Sequence, residues 1–288
     1  DINTILSTEA QVYEGQSAVD VGFAKMDVGI YAFMPSDRNN ENPTDTTIQG
    51  YSDDLSLNVW FKKIADTGLD VQFVAHSMEE HSWHQGAATD GFGATGVYNF
   101  DGFYGVANGY SRIAVQYGQG LASGDSLGKN GWGFANSEDT KSTRVVFDGL
   151  ANLSDSWELS TFAFYQSDSD YSPWSDWSDA STVGYDRDSF AIGVRPHNQI
   201  TTNFAMQYEL GYEHIKEDKV DGADGGFYKV TIAPTLMLET GFWARPQIRA
   251  FVTYAKWDDE AAAKIDSGYT RNGDTDTLNF GVQAEVWF

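Results

Sequence analysis

Three aromatic residues occupy the polar side of alternating segments, next to charged and amide side chains. In the last segment, 277–288, Trp287 shares its parity with Asn279, Gln283 and Glu285, while the opposite parity is apolar throughout. Pyranose rings have apolar C–H faces that lie on aromatic rings, and neighbouring polar groups can bond their hydroxyls. A ring in this position therefore predicts a site where a sugar stacks.

Tyr110 and Trp243 have the same arrangement in two other segments. Tyr110 shares its parity with Arg112 and Gln116 in segment 110–118, and Trp243 precedes a segment whose polar parity carries Arg249. All three aromatics begin or end a segment beside a short connection. We predict an aromatic sugar-binding row of Tyr110, Trp243 and Trp287, flanked by Arg112, Arg249 and Glu285. The alternative is an aromatic girdle or ordinary packing.

The segments that must position these residues have the period of β-strands. Apolar and polar residues alternate at intervals of roughly twenty residues, and helical periodicity is weak. The pattern predicts twelve strands, or thirteen if residues 19–23 form a strand before a turn at Ala24–Lys25. The predicted strands are 18–34, 53–63, 69–78, 95–106, 110–118, 143–151, 157–166, 188–196, 200–214, 227–238, 245–257 and 276–288.

Short and long connections alternate along the chain. Residues 65–68, 107–109, 152–156, 197–199 and 239–243 form short connections, and long polar segments such as 79–94 and 167–187 lie between them. Short turns at one end and long loops at the other are typical of an antiparallel outer-membrane β-barrel. A soluble β-sandwich or propeller is the alternative.

Composition excludes several function classes. The 288 residues include no Cys, which removes disulfides, thiolate catalysis and Cys-ligated metals. The formal net charge of −24 argues against a nucleic-acid partner, because phosphate binding needs clustered Lys and Arg. No apolar run is long enough for a membrane-spanning helix.

Six segments together carry a family resemblance: VDVGFAKMDVG (19–29), GYSRIAVQYGQGLASG (109–124), FAIGVRPHNQI (190–200), YKVTIAPTLML (228–238), FWARPQIRAFVTYAKWDDE (242–260) and FGVQAEVWF (280–288). In this order they resemble segments of maltoporin, the maltodextrin-specific porin family of Gram-negative outer membranes, and the last two resemble its final strands. The resemblance implies a passive channel for maltose and maltodextrins that is a homotrimer in outer-membrane lipid, has no cofactor and is not an enzyme. It also places Tyr110, Trp243 and Trp287 on the family's aromatic slide, with Tyr110 where a Phe is expected.

The family barrel has 18 strands, and twelve or thirteen are too few to complete it. We therefore expect residues 1–288 to be a single porin domain that lacks the N-terminal strands and the constriction loop. The chain has no initiator Met, which is consistent with a removed signal or a piece of a longer protein.

Other motifs give weaker predictions. The acidic stretch SDSDYSPWSDWSD (167–179) is interpreted as a solvated exterior loop, with calcium or sugar binding as alternatives. VDGADGG (220–226) lacks the spaced acids of a calcium loop, and His81 with His84 has no third metal ligand nearby. A porin for another sugar such as sucrose, or a secreted β-rich carbohydrate-binding protein or hydrolase, remains a competing hypothesis.

Overall fold

The chain forms thirteen β-strands over the residues that the structure describes. This computed structural model describes residues 18–33, 54–78, 88–124, 127–128, 137–171, 184–219, 222, 224–259 and 274–287. The strands are β1 (Val19–Asp20), β2 (Lys25–Phe33), β3 (Asp54–Lys62), β4 (Leu69–Met78), β5 (Asp90–Phe103), β6 (Ala107–Gly120), β7 (Lys141–Asn152), β8 (Trp157–Tyr171), β9 (Tyr185–Thr201), β10 (Phe204–Asp218), β11 (Asp224–Met237), β12 (Gln247–Trp257) and β13 (Asp276–Glu285). A short 3-10 helix, Ile64–Asp66, lies between β3 and β4. In the described part of the chain no helix has the length and apolar character to cross a membrane.

All thirteen strands belong to one sheet, in which each strand lies beside its neighbours in sequence. The pairing of β10 with β11 is typical: it is antiparallel and runs without a break from Phe204 opposite Leu236 to Lys216 opposite Asp224. Antiparallel neighbours satisfy each other's main-chain N–H and C=O groups. The predicted all-β antiparallel fold of the porin type is confirmed, and so is the larger of the two predicted strand counts.

The two faces of the sheet have opposite character. On one parity, polar side chains are buried, such as Thr235 (0% exposed) on β11 and Gln247 (2%) on β12. Their neighbours on the other parity are apolar and exposed, such as Leu236 (59%) and Ile248 (52%). Soluble proteins show the reverse arrangement, so this pattern is that of a sheet with lipid on its apolar side. We call the two parities the inner face and the outer face.

The acidic stretch is shorter than predicted because its ends belong to strands. Strand β8 continues to Tyr171 and β9 begins at Tyr185, so the predicted long connection over 167–187 is wrong at both ends, and the solvated loop predicted over 167–179 is wrong at its start. Asp168 is 2% exposed and forms a salt bridge with Arg187 at 2.8 Å. The Arg187 guanidinium carbon also lies 3.5 Å from the centre of the Tyr171 ring. Asp168 is therefore paired with Arg187 on the neighbouring strand, whereas the acidic composition of the stretch had suggested that it is exposed to water.

Two short connections also differ from their predicted positions. Residues 107–109 begin β6, and the chain reverses at 104–106 instead. Tyr104 and Gly105 both adopt positive φ there (47° and 72°), a backbone conformation suited to a tight reversal. Residues 197–199 lie within β9, and the next reversal falls at 202–203.

The chain falls into two compact units. The first comprises Asp1–Tyr98, Ala114–Val145 and Gln166–Arg187, and the second comprises Asn99–Ile113, Val146–Tyr165 and Asp188–Phe288. The first unit holds β1–β4 and the second holds β10–β13, while β5 to β9 contribute residues to both.

In the first unit, the chain that follows β6 packs on the inner face. We call residues 121–124 and 127–128 the inner segment; Ser123 and Leu127 within it are both fully buried. The Gly124 N–H donates to the Ser142 hydroxyl at 2.6 Å. Arg144 Nη1 lies 3.5 Å from the Leu127 carbonyl oxygen, while its Nε donates to the Gln166 side chain at 2.7 Å. Polar side chains of β7 and β8 thus hold this segment in place.

A glycine permits the close approach of the inner segment. A Cβ at Gly118 would lie 1.9 Å from the Ala122 carbonyl oxygen and 2.7 Å from its carbon. Both are main-chain atoms, so neither can rotate away. The segment packs this closely only because residue 118 has no side chain.

We predict that Gly118→Ala destabilises the protein. The added methyl must displace the inner segment, which should lower the free energy of unfolding by about 1–3 kcal/mol. Urea unfolding in detergent, followed by the gel mobility of folded and unfolded protein, measures the change. Gly96→Ala is the matched control, because a Cβ there meets no atom within 4 Å. Equal stability of the two variants would contradict the packing described.

Candidate functional site

The three predicted aromatic residues come together in the second unit. The ring centres of Trp243 and Trp287 are 6.0 Å apart, with 38° between the ring planes. The Tyr110 side chain lies close enough to that of Trp243 to interact with it. Tyr110, Trp243 and Trp287 are 40%, 46% and 54% exposed, so each ring is packed on part of its surface and open on the rest. We call these three residues the aromatic row.

Different backbone features place the three rings. Tyr110 is the fourth residue of β6, and Trp287 follows the end of β13 by two residues. Trp243 lies in the connection between β11 and β12, so the prediction that it continues the alternation of β12 is wrong. Its ring nevertheless packs beside Trp287, as predicted for the aromatic row. Gly109 brings β6 close to β7, since a Cβ there would lie 1.8 Å from the Leu150 carbonyl oxygen.

A second layer of rings supports Trp243 from behind. Phe242 is 6% exposed, and its ring meets that of Trp243 at 4.9 Å and 78°. The ring of His197, which is fully buried on β9, lies 6.1 Å from Phe242 in an edge-on arrangement. Edge-to-face contacts at these distances are favourable for aromatic rings. The connection that carries Trp243 is therefore packed against the sheet.

Arg112, one of the predicted flanking residues, is held in an ion pair beside Tyr110. Its Nε lies 2.5 Å and 2.9 Å from the two carboxylate oxygens of Asp148 on β7. The Asp148 side chain is 7% exposed and the Arg112 side chain is 28% exposed. Both charges act on the Tyr110 hydroxyl. The buried carboxylate thus fixes the arginine at one end of the row.

Tyr104 supports the same pair through the main chain. Its hydroxyl donates to the carbonyl oxygen of Asp148 at 3.0 Å and lies 3.3 Å from that of Arg112. Burial, with the Asp148 carboxylate as a smaller cause, raises the pKa of Tyr104 above its ordinary value. The hydroxyl therefore keeps its proton, and its role as a donor, at neutral pH.

Glu285 joins the polar residues at the other end of the row. Its carboxylate lies 2.5 Å from Arg249 Nη2, 3.0 Å from Arg245 Nη2 and 3.3 Å from Gln247 Nε2. The Trp287 side chain lies close enough to interact with this carboxylate. The structure therefore brings the predicted residues Arg249 and Glu285 into direct contact, next to Trp287.

The sequence did not identify several charged residues beside this group. Glu209 on β10 binds Arg195 at 2.6 Å and Lys229 at 2.5 Å. Arg195 and Glu209 also act electrostatically on Arg249. The charged cluster of this face comprises Arg195, Lys229, Arg245, Arg249, Glu209 and Glu285. Asp148, Arg195 and Arg245 form ion pairs that no sequence spacing reveals.

The arrangement offers apolar ring faces next to fixed charges and amides. Open rings can stack on an apolar ligand surface, and arginine, glutamate and glutamine groups can bond hydroxyls. Among the described residues no group of three His, Asp or Glu side chains could hold a metal ion. His81, His84 and residues 172–179 lie outside the described residues, as does most of 220–223.

A model of the LamB porin family matches residues 14–288. The match includes every strand of the sheet, the whole aromatic row and the charged cluster. It covers nearly all of the 288 residues.

We predict that Asp148→Asn destabilises the protein by about 1.5–3 kcal/mol, the range for hydrogen bonds to charged groups. The substitution keeps the shape of the side chain but leaves Arg112 without its counter-charge. Urea unfolding in detergent gives the free energy. Asp155→Asn removes a carboxylate from an exposed turn and should be neutral. Unchanged stability of the Asp148 variant would show that the ion pair contributes nothing.

Proposed function

This chain belongs to the LamB porin family, and from that premise we propose that it is a channel for passive diffusion of maltose and maltodextrins. Family membership supports the coarser statement, an outer-membrane sugar porin, without further argument. The choice of maltodextrins rests on the maltoporin-like segments and on the aromatic row.

The contact between Trp243 and Trp287 is the observation that carries this proposal. Two half-exposed indoles with ring centres 6.0 Å apart offer adjoining apolar surfaces to consecutive sugar rings. The Tyr110 side chain extends the same surface. A linear oligosaccharide can contact several rings at once, whereas a single sugar contacts one. Affinity should therefore rise with chain length.

The polar neighbours suit the hydroxyls of such a ligand. Arg112 sits beside one end of the row, and Arg249 with Glu285 sits beside the other. Their charged groups are already paired, so a sugar hydroxyl meets fixed donors and acceptors. Each contact is weak by itself, and permeation requires sites weak enough to release the solute. No covalent step is part of the proposal.

We also propose the surroundings of the channel from the same premise. The exposed apolar side chains of the outer face suit outer-membrane lipid, and the resemblance to maltoporin suggests a homotrimer. Residues 1–288 would form part of a single porin domain. A sucrose-type porin is the second candidate, because the same ring faces could stack on other sugars. The family match argues against the secreted binding protein or hydrolase.

We predict that maltohexaose blocks ion current through the intact protein in a planar lipid bilayer at micromolar to millimolar concentration, and that sucrose blocks it less. The longer sugar contacts more rings of the row. Equal block by both sugars would favour the sucrose-type alternative. Absence of block by either would refute the sugar channel, and release of reducing sugar from maltodextrin would indicate a hydrolase.

We predict that Trp287→Ala weakens maltohexaose block by about tenfold, the factor that corresponds to about 1.4 kcal/mol of lost stacking. Open-channel conductance should stay similar or increase, because the substitution removes volume. Trp157→Ala is the matched control: Trp157 lies on the outer parity of β8 and stacks on Tyr208 at 6.5 Å. An unchanged affinity of the Trp287 variant would show that this ring does not meet the sugar.

A further inference from the structure

Arg245 makes four contacts that connect the two tryptophans of the aromatic row. Its Nη1 donates to the carbonyl oxygens of Phe242 at 3.1 Å and Ala244 at 2.9 Å, the residues on either side of Trp243. Its Nη2 lies 3.0 Å from Glu285. Its guanidinium carbon lies 4.4 Å from the centre of the Trp287 ring. One planar group therefore contacts both the connection that carries Trp243 and the indole of Trp287.

Arg245 and Trp287 differ in how accessible they are to a solute. The Arg245 side chain is only 8% exposed, so a solute has little access to it. Trp287 is 54% exposed, although the guanidinium covers part of its ring. Arg245 thus lies behind the indole, and the open part of the ring is left for a ligand. This distinguishes Arg245 from a residue that would bind sugar itself.

Neither tryptophan is held by the main-chain ladder of the sheet. Trp243 lies between β11 and β12, and Trp287 follows the end of β13. Side-chain contacts must therefore fix both rings. Arginine suits this task because its guanidinium is planar, permanently charged and carries five donors in a rigid fork, and it stacks on aromatic faces.

We propose that Arg245 is a positioning residue that fixes the orientation of Trp243 and Trp287, and so sets the affinity of the row for oligosaccharides. The inference rests on the proposed function. It assigns a role to a residue that contacts the Trp287 ring and the main chain on either side of Trp243, but not the sugar. Without Arg245 both indoles would gain freedom of rotation, and binding would have to order them.

A double-mutant cycle tests the role in sugar binding. Arg245→Met should weaken maltohexaose block by about threefold to tenfold in the otherwise unchanged protein, the range expected for a partly desolvated cation–π contact. In a Trp287→Ala background the same change should weaken block by a smaller factor, below about threefold, because Trp243 is then the only ring left for Arg245 to orient. An equal loss in both backgrounds, or no loss in either, would overturn the proposal.

Arg245→Lys is the conservative variant. Lysine keeps a charge near the ring but cannot bond the carboxylate and both carbonyls with one planar group. It should recover only part of the lost affinity. Full recovery would mean that charge alone matters, which would also overturn the positioning role. Lys62→Met is the control, since it removes a cation paired to Asp27 at 2.6 Å in the first unit.

A measurement without sugar separates this inference from the proposed function. In protein labelled with 5-fluorotryptophan, the ¹⁹F signals of Trp243 and Trp287 are assigned from single Trp→Phe variants. Arg245→Met should shift and broaden these two signals, and Lys62→Met should leave them unchanged. Unaltered signals would overturn the positioning role even where sugar blocks the channel. Absence of sugar block in the unmodified protein would overturn the proposed function alone.

Discussion

The main-chain hydrogen bonds between neighbouring strands are the interaction on which the rest of the molecule depends. In hydrocarbon no water replaces a lost partner, so a chain that contacts lipid must satisfy its N–H and C=O groups within the sheet. The continuous register of β10 with β11, and of β12 with β13, meets this requirement. Once the strands are paired, their geometry makes successive side chains point to opposite faces of the sheet. The buried polar face and the exposed apolar face both follow from it.

The candidate site forms where that ladder ends. Tyr110 follows a reversal, Trp243 lies between strands, and Trp287 lies beyond the last strand. At the two tryptophans the main-chain ladder no longer fixes the side chains, and ion pairs and ring contacts hold them instead. Asp148 holds Arg112 at one end, and Glu285 holds Arg245 and Arg249 at the other. The strands determine which residues can meet, and the charged groups determine how they are oriented.

This division explains what the sequence could predict. Alternation identified the all-β class and gave a count of twelve or thirteen strands, because a period of two follows directly from strand geometry. It did not predict that β8 extends to Tyr171, because an acidic composition cannot show that Asp168 finds Arg187 on the next strand. Nor did it predict the partners of Arg245, which lie in the preceding connection and in β13. Periodicity gives the direction of a side chain, but not its partner across the sheet.

The charged cluster has a consequence for small ions. The whole chain carries a formal charge of −24, yet the cluster holds four cationic side chains and two carboxylates. An ion close to this wall responds mainly to charges within about one Debye length, roughly 8 Å at physiological salt. It therefore meets a locally positive potential on a strongly acidic protein. The cluster should attract chloride and repel potassium, whereas the net charge of the protein would suggest the opposite preference. The isoelectric point therefore does not predict which ion is favoured at this surface.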